Sequence, residues 1–410
     1  MQHSKIFNSA VIVGALGYFV DIYDLLLFSI VRVPSLKDLG VAEPHLLNVG
    51  VLLLNSQMAG LLLGGILWGV FGDKKGRVSV LFGSIFLYSI ANIANGYVQS
   101  ISAYAIFRFL AGLGLAGELG AAITLVSEVM TQETRGYGTA VVASVGICGA
   151  IAAALIGEQF DWRTAYIIGG GLGLILLILR LKTLESKMFT SVAEKVTRRG
   201  DLTLLFSSRE RILKYLSCIC IGLPIWFVIG ILVTFSPELS RSLGVTGPIL
   251  GGKAIMYSYI GLAVGDLLSG FLSQWLKSRK KVIFIFQILT LFFILFYSFS
   301  SGLSQEQFYA LCVGLGFAGG YWAVFVTNAS EQFGTNLRAT VATTVPNFVR
   351  GAVLPITFVF QFLKPSLGVI HAALAVGVFC MSISFIALIF LKESFGKDLN
   401  YIEEISTVGI

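Results

Sequence analysis

Seven charged residues lie inside long apolar stretches of this sequence, where a charge needs a partner or water around it. Near the centre of a bilayer such a charge costs about 2.5 to 3.5 kcal/mol even on a lenient insertion scale. Charges kept at that cost are typical of proton relays, ion pathways and ligand sites. The seven residues are Asp21, Asp24, Arg108, Glu118, Glu128, Asp266 and Arg350.

Asp21 and Asp24 are three residues apart, so they share a face of one helix. At 1.5 Å per residue, Asp24 in the first apolar stretch and Arg108 in the fourth both lie about 10 Å below the same membrane surface. This depth favours an ion pair between Arg108 and one of the aspartates, broken when the aspartate takes up a proton. A permanent structural ion pair is the alternative.

Glu118 follows Arg108 in the same apolar stretch, beside glycines that allow close helix packing. As a protonatable group facing a cavity, it is a second candidate for proton coupling. Alternatively, it pairs with a residue of a neighbouring helix. The sequence leaves both interpretations open.

Arg350 lies between Pro346 and Pro355, next to Gly351, which predicts a helix that bends near this charge. A guanidinium group binds a carboxylate or phosphate through two parallel hydrogen bonds, so it favours an anionic or zwitterionic substrate. A salt bridge to Asp266 is the alternative. Further polar and aromatic candidates for a substrate site are Gln57, Trp226, Asp266, Tyr321, Trp322 and Asn347.

The elements that carry these residues are twelve apolar stretches long enough to cross a bilayer. Of the 410 residues, 56% are hydrophobic and only 12% are charged, which predicts an all-α membrane protein. We expect two six-helix bundles at 1–181 and 212–391, a linker at 182–211 and a tail at 392–410. The stretches are 8–31, 46–71, 78–99, 102–129, 136–157, 163–181, 212–235, 251–276, 281–301, 306–330, 337–363 and 367–391.

Most of the 29 Lys and Arg residues fall on one side of these stretches, which predicts that both termini are cytoplasmic. The same pattern accounts for the net charge of +7, so we expect no nucleic-acid partner.

The first stretch contains two aspartates and no cleavage site, and it is predicted to be an uncleaved helix. The five cysteines lie in apolar stretches and the three histidines are scattered, so we expect no disulfide, metal, cofactor or enzymatic site.

An internal repeat supports the division into two bundles. The glycine-rich segment from Gly112 to Gly120 recurs from Gly314 to Trp322. Ser-Glu pairs ending at Glu128 and Glu331 each precede an arginine by seven residues, namely Arg135 and Arg338. Two six-helix repeats around a midplane site are typical of transporters.

A charged loop from Gly72 to Arg77 separates the second and third stretches. Its glycines permit a tight turn, while Asp73 and Arg77 can bond to helix ends and to each other. We predict a charge latch at the cytoplasmic helix ends that opens during transport. Its residues are Gly72, Asp73, Gly76, Arg77, Glu128, Arg135, Glu331 and Arg338.

These motifs resemble those of the major facilitator superfamily. The loop Gly72-Asp-Lys-Lys-Gly-Arg77 is similar to its signature between helices two and three, and Arg108 to Glu118 to the fourth helix of its proton-coupled branches. The metabolite:proton and aromatic-acid:proton symporters are most similar, and the tail from Leu391 to Lys397 resembles the end of metabolite symporters. Sugar porters of this superfamily place a proton-sensing aspartate in helix one beside an arginine in helix four.

Two motifs depart from the pattern of these branches. The first helix has Asp21-Ile-Tyr-Asp24 where the aromatic-acid branch often has Asp-Gly-x-Asp. The loop from Leu276 to Lys281 keeps basic charge without the glycine-rich signature.

From the charges and the resemblance, we expect a monomeric transporter in the cytoplasmic (inner) membrane that works by alternating access. Its predicted reaction is proton-coupled uptake of a small organic anion or zwitterion, a carboxylate for example. A proton-driven exporter of a drug or metabolite is the alternative, because the same fold serves antiport. A channel is not expected, because no filter-like loop is visible.

Overall fold

The structure, a computed structural model, describes residues 9–75, 77–118, 135–184 and 205–396, and these residues are almost entirely helical. The chain divides into two compact units, the N-terminal unit Met1–Arg199 and the C-terminal unit Gly200–Ile410. Eight described helical segments are long and apolar enough to cross a membrane, and two shorter helices are also apolar.

The N-terminal unit consists of long helices with few interruptions. Helix α1 packs along α5, α2 along α4, and α3 along α6. A short 3-10 turn at Glu43–His45 precedes α2. The helices are α1 (Ser9–Asp38), α2 (Leu46–Lys75), α3 (Arg77–Asn95), α4 (Ile101–Leu115), α5 (Arg135–Gln159) and α6 (Trp162–Leu184).

The C-terminal unit contains more helical segments because several predicted spans are broken. Helix α10 packs along α12, and α11 along α15. A π-helical segment, Val228–Val233, follows α8. The helices are α7 (Arg209–Cys220), α8 (Leu223–Phe227), α9 (Ser236–Ser242), α10 (Gly251–Trp275), α11 (Arg279–Phe299), α12 (Gln305–Gly319), α13 (Trp322–Glu331), α14 (Thr335–Gly351) and α15 (Val353–Phe390).

Proline and glycine account for most of the breaks. Pro355 lacks an N–H and its ring would clash with the carbonyl of Gly351, and α14 ends at that residue. Gly368 has φ 75° and interrupts α15 one residue after the predicted start of the last span, residue 367. Helices also begin at serine caps, because the hydroxyl of Ser100, Ser208, Ser278 or Ser304 accepts an N–H three residues later.

Each predicted span coincides with one helix or successive helices over its described part. Helix α1 continues to Asp38, seven residues beyond the predicted end, and α2 continues through Gly72 and Asp73 to Lys75, where a loop was predicted. The predicted linker lies largely outside the described residues, as does the tail beyond Gly396. Those boundaries stay predictions.

The packing repeat differs in register from the sequence repeat. Gly112 of α4 packs against the carbonyl of Gln57 in α2, and Gly316 of α12 packs against the carbonyl of Ser258 in α10. Gly112 therefore corresponds to Gly316, two residues beyond its sequence match Gly314. The helix ends agree with this register, because α4 ends at Leu115 and α12 at Gly319.

Candidate functional site

Arg108 is completely buried in the N-terminal unit and bonds to a neutral side chain. Its Nη2 donates to Oε1 of Gln57, whose own Nε2 lies 3.4 Å from the carbonyl oxygen of Leu25. The guanidinium carbon lies 5.0 Å from the ring centre of Phe28 and 5.7 Å from that of Tyr166. Gln57, predicted to bind substrate, thus holds the arginine in this conformation.

Asp24 is also fully buried, on the same face of α1 as Asp21. Neither carboxylate oxygen has a hydrogen-bond partner among the residues that the structure describes. The amide of Asn92 on α3 is directed at this carboxyl group, and Gly169 on α6 leaves room for Oδ1. The predicted ion pair with Arg108 is not formed in this conformation, because the guanidinium bonds to Gln57 instead of either aspartate.

Glu118 pairs with Arg180 at the break after α4. One guanidinium nitrogen lies 3.0 Å from Oε2, and the other donates to Oε1. The side chains are 0% and 4% exposed, so the ion pair is shielded from water. Gly17 of α1 lies against both partners and supplies the space that a larger residue would fill. Three helical elements meet at this pair.

Three interrupted spans meet in the C-terminal unit. The break between α7 and α8 follows Ile221, and the break between α12 and α13 includes Tyr321. The hydroxyl of Tyr321 donates to the carbonyl of Ile221 at 3.0 Å and so joins these two breaks. Gly222 lies against Val349 of α14, next to the third break. Irregular backbone at membrane depth is typical of transporter binding sites.

Arg350 and two tryptophans lie at these breaks. The guanidinium carbon of Arg350 is 5.8 Å from the ring centre of Trp226 and 6.0 Å from that of Trp322. Arg350 is 1% exposed. A guanidinium group beside two indole rings is positioned by cation–π attraction, and its planar set of donors suits a carboxylate. The structure therefore brings together three of the predicted substrate residues.

The remaining candidates of this unit have local bonds. Oδ1 of Asp266 accepts the N–H of Ala323 at 3.1 Å, in the first turn of α13, and does not pair with Arg350. The alternative prediction of an Asp266–Arg350 salt bridge is wrong for this conformation, because the carboxylate caps a helix. Nδ2 of Asn347 donates to the carbonyl of Thr343 at 3.2 Å.

A polar cluster closes one end of the C-terminal unit. Glu331, which the sequence predicts to be part of the charge latch with Arg338, forms an ion pair of 3.2 Å with Arg279. The hydroxyl of Ser394 donates to Oε2 of Glu331 at 2.7 Å, and Glu393 accepts the N–H of Arg279 at 2.9 Å. The segment after α15 therefore ties α11 to α13.

Glu393 is the residue of this cluster whose charge can be tested by pH. Burial alone would raise the pKa of its carboxyl group, but the Ser278 hydroxyl and the N–H groups of Phe395, Arg279 and Lys280 outweigh burial and hold the pKa below its usual range. A depressed pKa contributes stability above the pKa of the unfolded chain, and this stability is lost as pH falls through the folded pKa.

The variant Glu393→Gln should therefore lower the free energy of unfolding by about 1 kcal/mol at neutral pH, the usual cost of a lost helix cap. The difference from the unchanged protein should shrink on acidification, because protonation removes the same charge. Thermal unfolding of the purified protein at a series of pH values measures this. A pH-independent difference would contradict a charge effect, and Glu210→Gln at the exposed start of α7 serves as the control.

The N-terminal part of the predicted charge latch is only partly described. Gly76 and Glu128 lie outside the described residues, and so do the side chains of Asp73, Arg77 and Arg135. The latch in this unit stays a prediction.

Sequence reasoning missed several partners of the predicted residues. Arg180 escaped notice because it lies at the end of an apolar stretch, where basic residues are usually interfacial. Asn92 is neutral and carries no comparable signal. Arg279 lies in the basic segment from Leu276 to Lys281, which the sequence predicts as a loop, and its charge does not distinguish it from its neighbours there.

Residues 14–357 match the family model described as Major Facilitator Superfamily. The chain belongs to this superfamily. Relatives are transporters: the chain is 26% identical to the "Putative niacin/nicotinamide transporter NiaP" of Bacillus subtilis, over 82% of this chain and 84% of that protein. It is 24% identical to the "Sialic acid transporter NanX" of Escherichia coli, over 93% and 92% of the two chains.

The fold agrees with that of a solved transporter. The crystal structure of a D-xylose-proton symporter superposes with a TM-score of 0.69 over 95% of this chain and 99% of that chain, at 17% identity. Together these similarities establish a multi-pass membrane transporter of the superfamily and not an enzyme. They do not favour the alternative prediction of an exporter.

Proposed function

We propose that this superfamily member imports a small organic anion or zwitterion together with a proton. The observation that carries the substrate class is the buried guanidinium of Arg350 beside the rings of Trp226 and Trp322. Such a group binds a carboxylate through two hydrogen bonds, while an indole offers a flat apolar surface to the rest of the molecule. Of the three compounds in the names of the two relatives, niacin and sialic acid are carboxylic acids, and nicotinamide is a neutral amide.

Asp24 is the proposed proton carrier. It is buried without a hydrogen-bond partner among the described residues, while Arg108 is bonded to Gln57. An ionised carboxylate in this environment gains from pairing with the arginine, whereas a protonated one does not. Proton uptake therefore changes which arrangement of α1, α2 and α4 is stable, as a transporter with two states requires. Asp21 on the same face is the second candidate.

The membrane setting is part of the proposal. We place the protein in the cytoplasmic membrane as a monomer. We place both termini in the cytoplasm, because most Lys and Arg residues lie on the same side of the predicted spans as the termini. The cluster of Arg279, Glu331 and Ser394 then lies at the cytoplasmic end, where it stabilises one state of the C-terminal unit.

Uptake into proteoliposomes with an imposed inward proton gradient tests this function. Pools of carboxylates, amino acids, betaines and sugars are offered while internal pH is followed. We expect acidification with a carboxylate or zwitterion pool only. Alkalinisation of acid-loaded vesicles would instead indicate proton–substrate antiport.

Arg350→Lys tests the carboxylate site, because lysine keeps the charge but lacks the planar pair of donors. A hydrogen bond to a charged group contributes about 1.5 to 3 kcal/mol, so we expect KM for the carboxylate to rise about tenfold to a hundredfold. Radiolabelled niacin and neutral nicotinamide are suitable first probes, and Arg241→Lys at the exposed end of α9 is the matched control. An unchanged KM would contradict a bidentate site.

A further inference from the structure

An open groove of about 470 Å³ runs between α11 and α15 on the outer face of the C-terminal unit. Lys280 and Lys281, in the first turn of α11, line one end of it. Below the lysines its walls are apolar, with Phe284 and Ile288 from one helix and Phe385 and Ile389 from the other. The substrate and proton sites proposed above do not use this groove.

The apolar walls face outward along the length of a membrane helix. Phe284 and Ile288 are each 48% exposed, and Ile389 is 76% exposed. Phe284 and Phe385 contact each other edge to face at 5.8 Å between ring centres and join the two helices. Because these helices cross the bilayer, the groove opens toward acyl chains.

The length of the groove fits within one leaflet of a lipid bilayer. Lys281 and Ile288 are seven residues apart on one face of α11, which is about 10 Å along a helix. Half of the hydrocarbon core of a bilayer is about 15 Å thick. If a lipid headgroup lies at the lysines, the part of its acyl chain nearest the headgroup therefore lies against Ile288.

The two lysines at the end of the groove favour a negatively charged ligand. Nζ of Lys280 donates to the carbonyl of Leu391 just beyond α15, and this bond leaves two of its N–H donors for another group. Among the described residues, Lys281 bonds through its backbone N–H to Ser278, and its ammonium group makes no hydrogen bond or ion pair. Two cations above an apolar channel complement an anionic headgroup on a hydrocarbon chain.

We propose that this groove binds one anionic phospholipid, with its phosphate at Lys280 and Lys281 and an acyl chain between α11 and α15. The bound lipid fixes the end of α15 against α11, next to the cluster of Glu331 and Ser394. The site is independent of the transported substrate.

Native mass spectrometry of the purified full-length transporter with phosphatidylglycerol and phosphatidylcholine tests the proposal. A lysine near an anionic lipid surface contributes about 1 kcal/mol, or about fivefold in affinity. We expect Lys281→Gln to weaken phosphatidylglycerol binding about fivefold, and the variant with Lys280→Gln as well about 25-fold. Phosphatidylcholine binding should change less than about twofold.

Three further variants separate the groove from general charge attraction. Lys277→Gln removes one charge from the loop just before α11, outside the groove, and should leave binding unchanged. Lys281→Arg should retain binding. Ile288→Trp fills the apolar channel and should weaken both lipids. If Lys277→Gln and Lys281→Gln weaken binding equally, or if the unchanged protein binds both lipids with equal affinity, the anionic site is overturned. If Ile288→Trp binds both lipids as well as the unchanged protein does, the acyl-chain channel is overturned. Elution and melting temperature in detergent confirm folding of each variant.

Discussion

Replacing Asp24 with asparagine is expected to abolish proton-driven accumulation of substrate while substrate exchange across the membrane continues. Asparagine resembles the protonated aspartate in shape and charge, so the variant stays in the proton-bound condition. Because the carboxylate is buried and unbonded among described residues, few local contacts are lost with its charge. For a zwitterion carried with one proton, one net charge crosses the membrane, and 100 mV then supplies about 2.3 kcal/mol, which sustains a gradient of about fortyfold. That ratio should fall to about one.

Two assays in the same proteoliposomes measure this result. Accumulation under an imposed proton gradient reports coupling, whereas counterflow of labelled against unlabelled substrate reports exchange without it. Asp38→Asn makes the same chemical change at the C-terminal end of α1, where Asp38 bonds to Arg163, and should leave both assays unchanged. Full accumulation by Asp24→Asn would contradict the proposed role, and Asp21→Asn would then be the next variant.

The sequence identifies the buried charges better than it identifies their partners. Asp24, Arg108 and Glu118 are conspicuous because charges in apolar stretches are rare. The partner of Arg108 is a neutral glutamine, and its position depends on how α2 is rotated against α4. Close packing of Gly112 on the Gln57 backbone sets that rotation, and composition does not reveal it.

Some helix breaks can be predicted from a local residue in the sequence, whereas others depend on tertiary packing. Pro355 predicts the break after Gly351 because a proline ring excludes the helical carbonyl four residues earlier. No such residue marks the π-helical segment Val228–Val233, in which the N–H of Thr234 bonds to the carbonyl of Ile229. Tertiary packing decides such segments, so the sequence does not predict them.

The two units also have different residues at positions that are equivalent in their helix packing. In the register set by Gly112 and Gly316, Glu118 corresponds to Trp322. Both residues follow a helix break, yet one forms a buried ion pair and the other lies beside Arg350. The glycine motif is repeated because both units need close helix contacts, while the adjacent residue differs between them. A sequence match alone does not assign the same role to both.

Breaking the Glu118–Arg180 pair should strongly destabilise the N-terminal unit. Removing one partner of a buried pair leaves an unpaired charge and costs about 3 to 5 kcal/mol, whereas replacing both with apolar residues is often neutral. Glu118→Leu and Arg180→Leu should each lower the melting temperature strongly, and the double variant should recover most of it. Leu179→Ala, a neighbouring truncation without a charge, is the control for α6.

The double variant also separates the two roles left open for Glu118. A structural pair predicts that Glu118→Leu with Arg180→Leu regains both stability and proton-driven accumulation, because the helices again pack without an unpaired charge. A proton-coupling role predicts that stability returns while accumulation does not. The bidentate contact with Arg180 and the exclusion of water around it favour the structural outcome. On this view the proton carrier of the N-terminal unit is Asp24, and Glu118 fixes the helices around it.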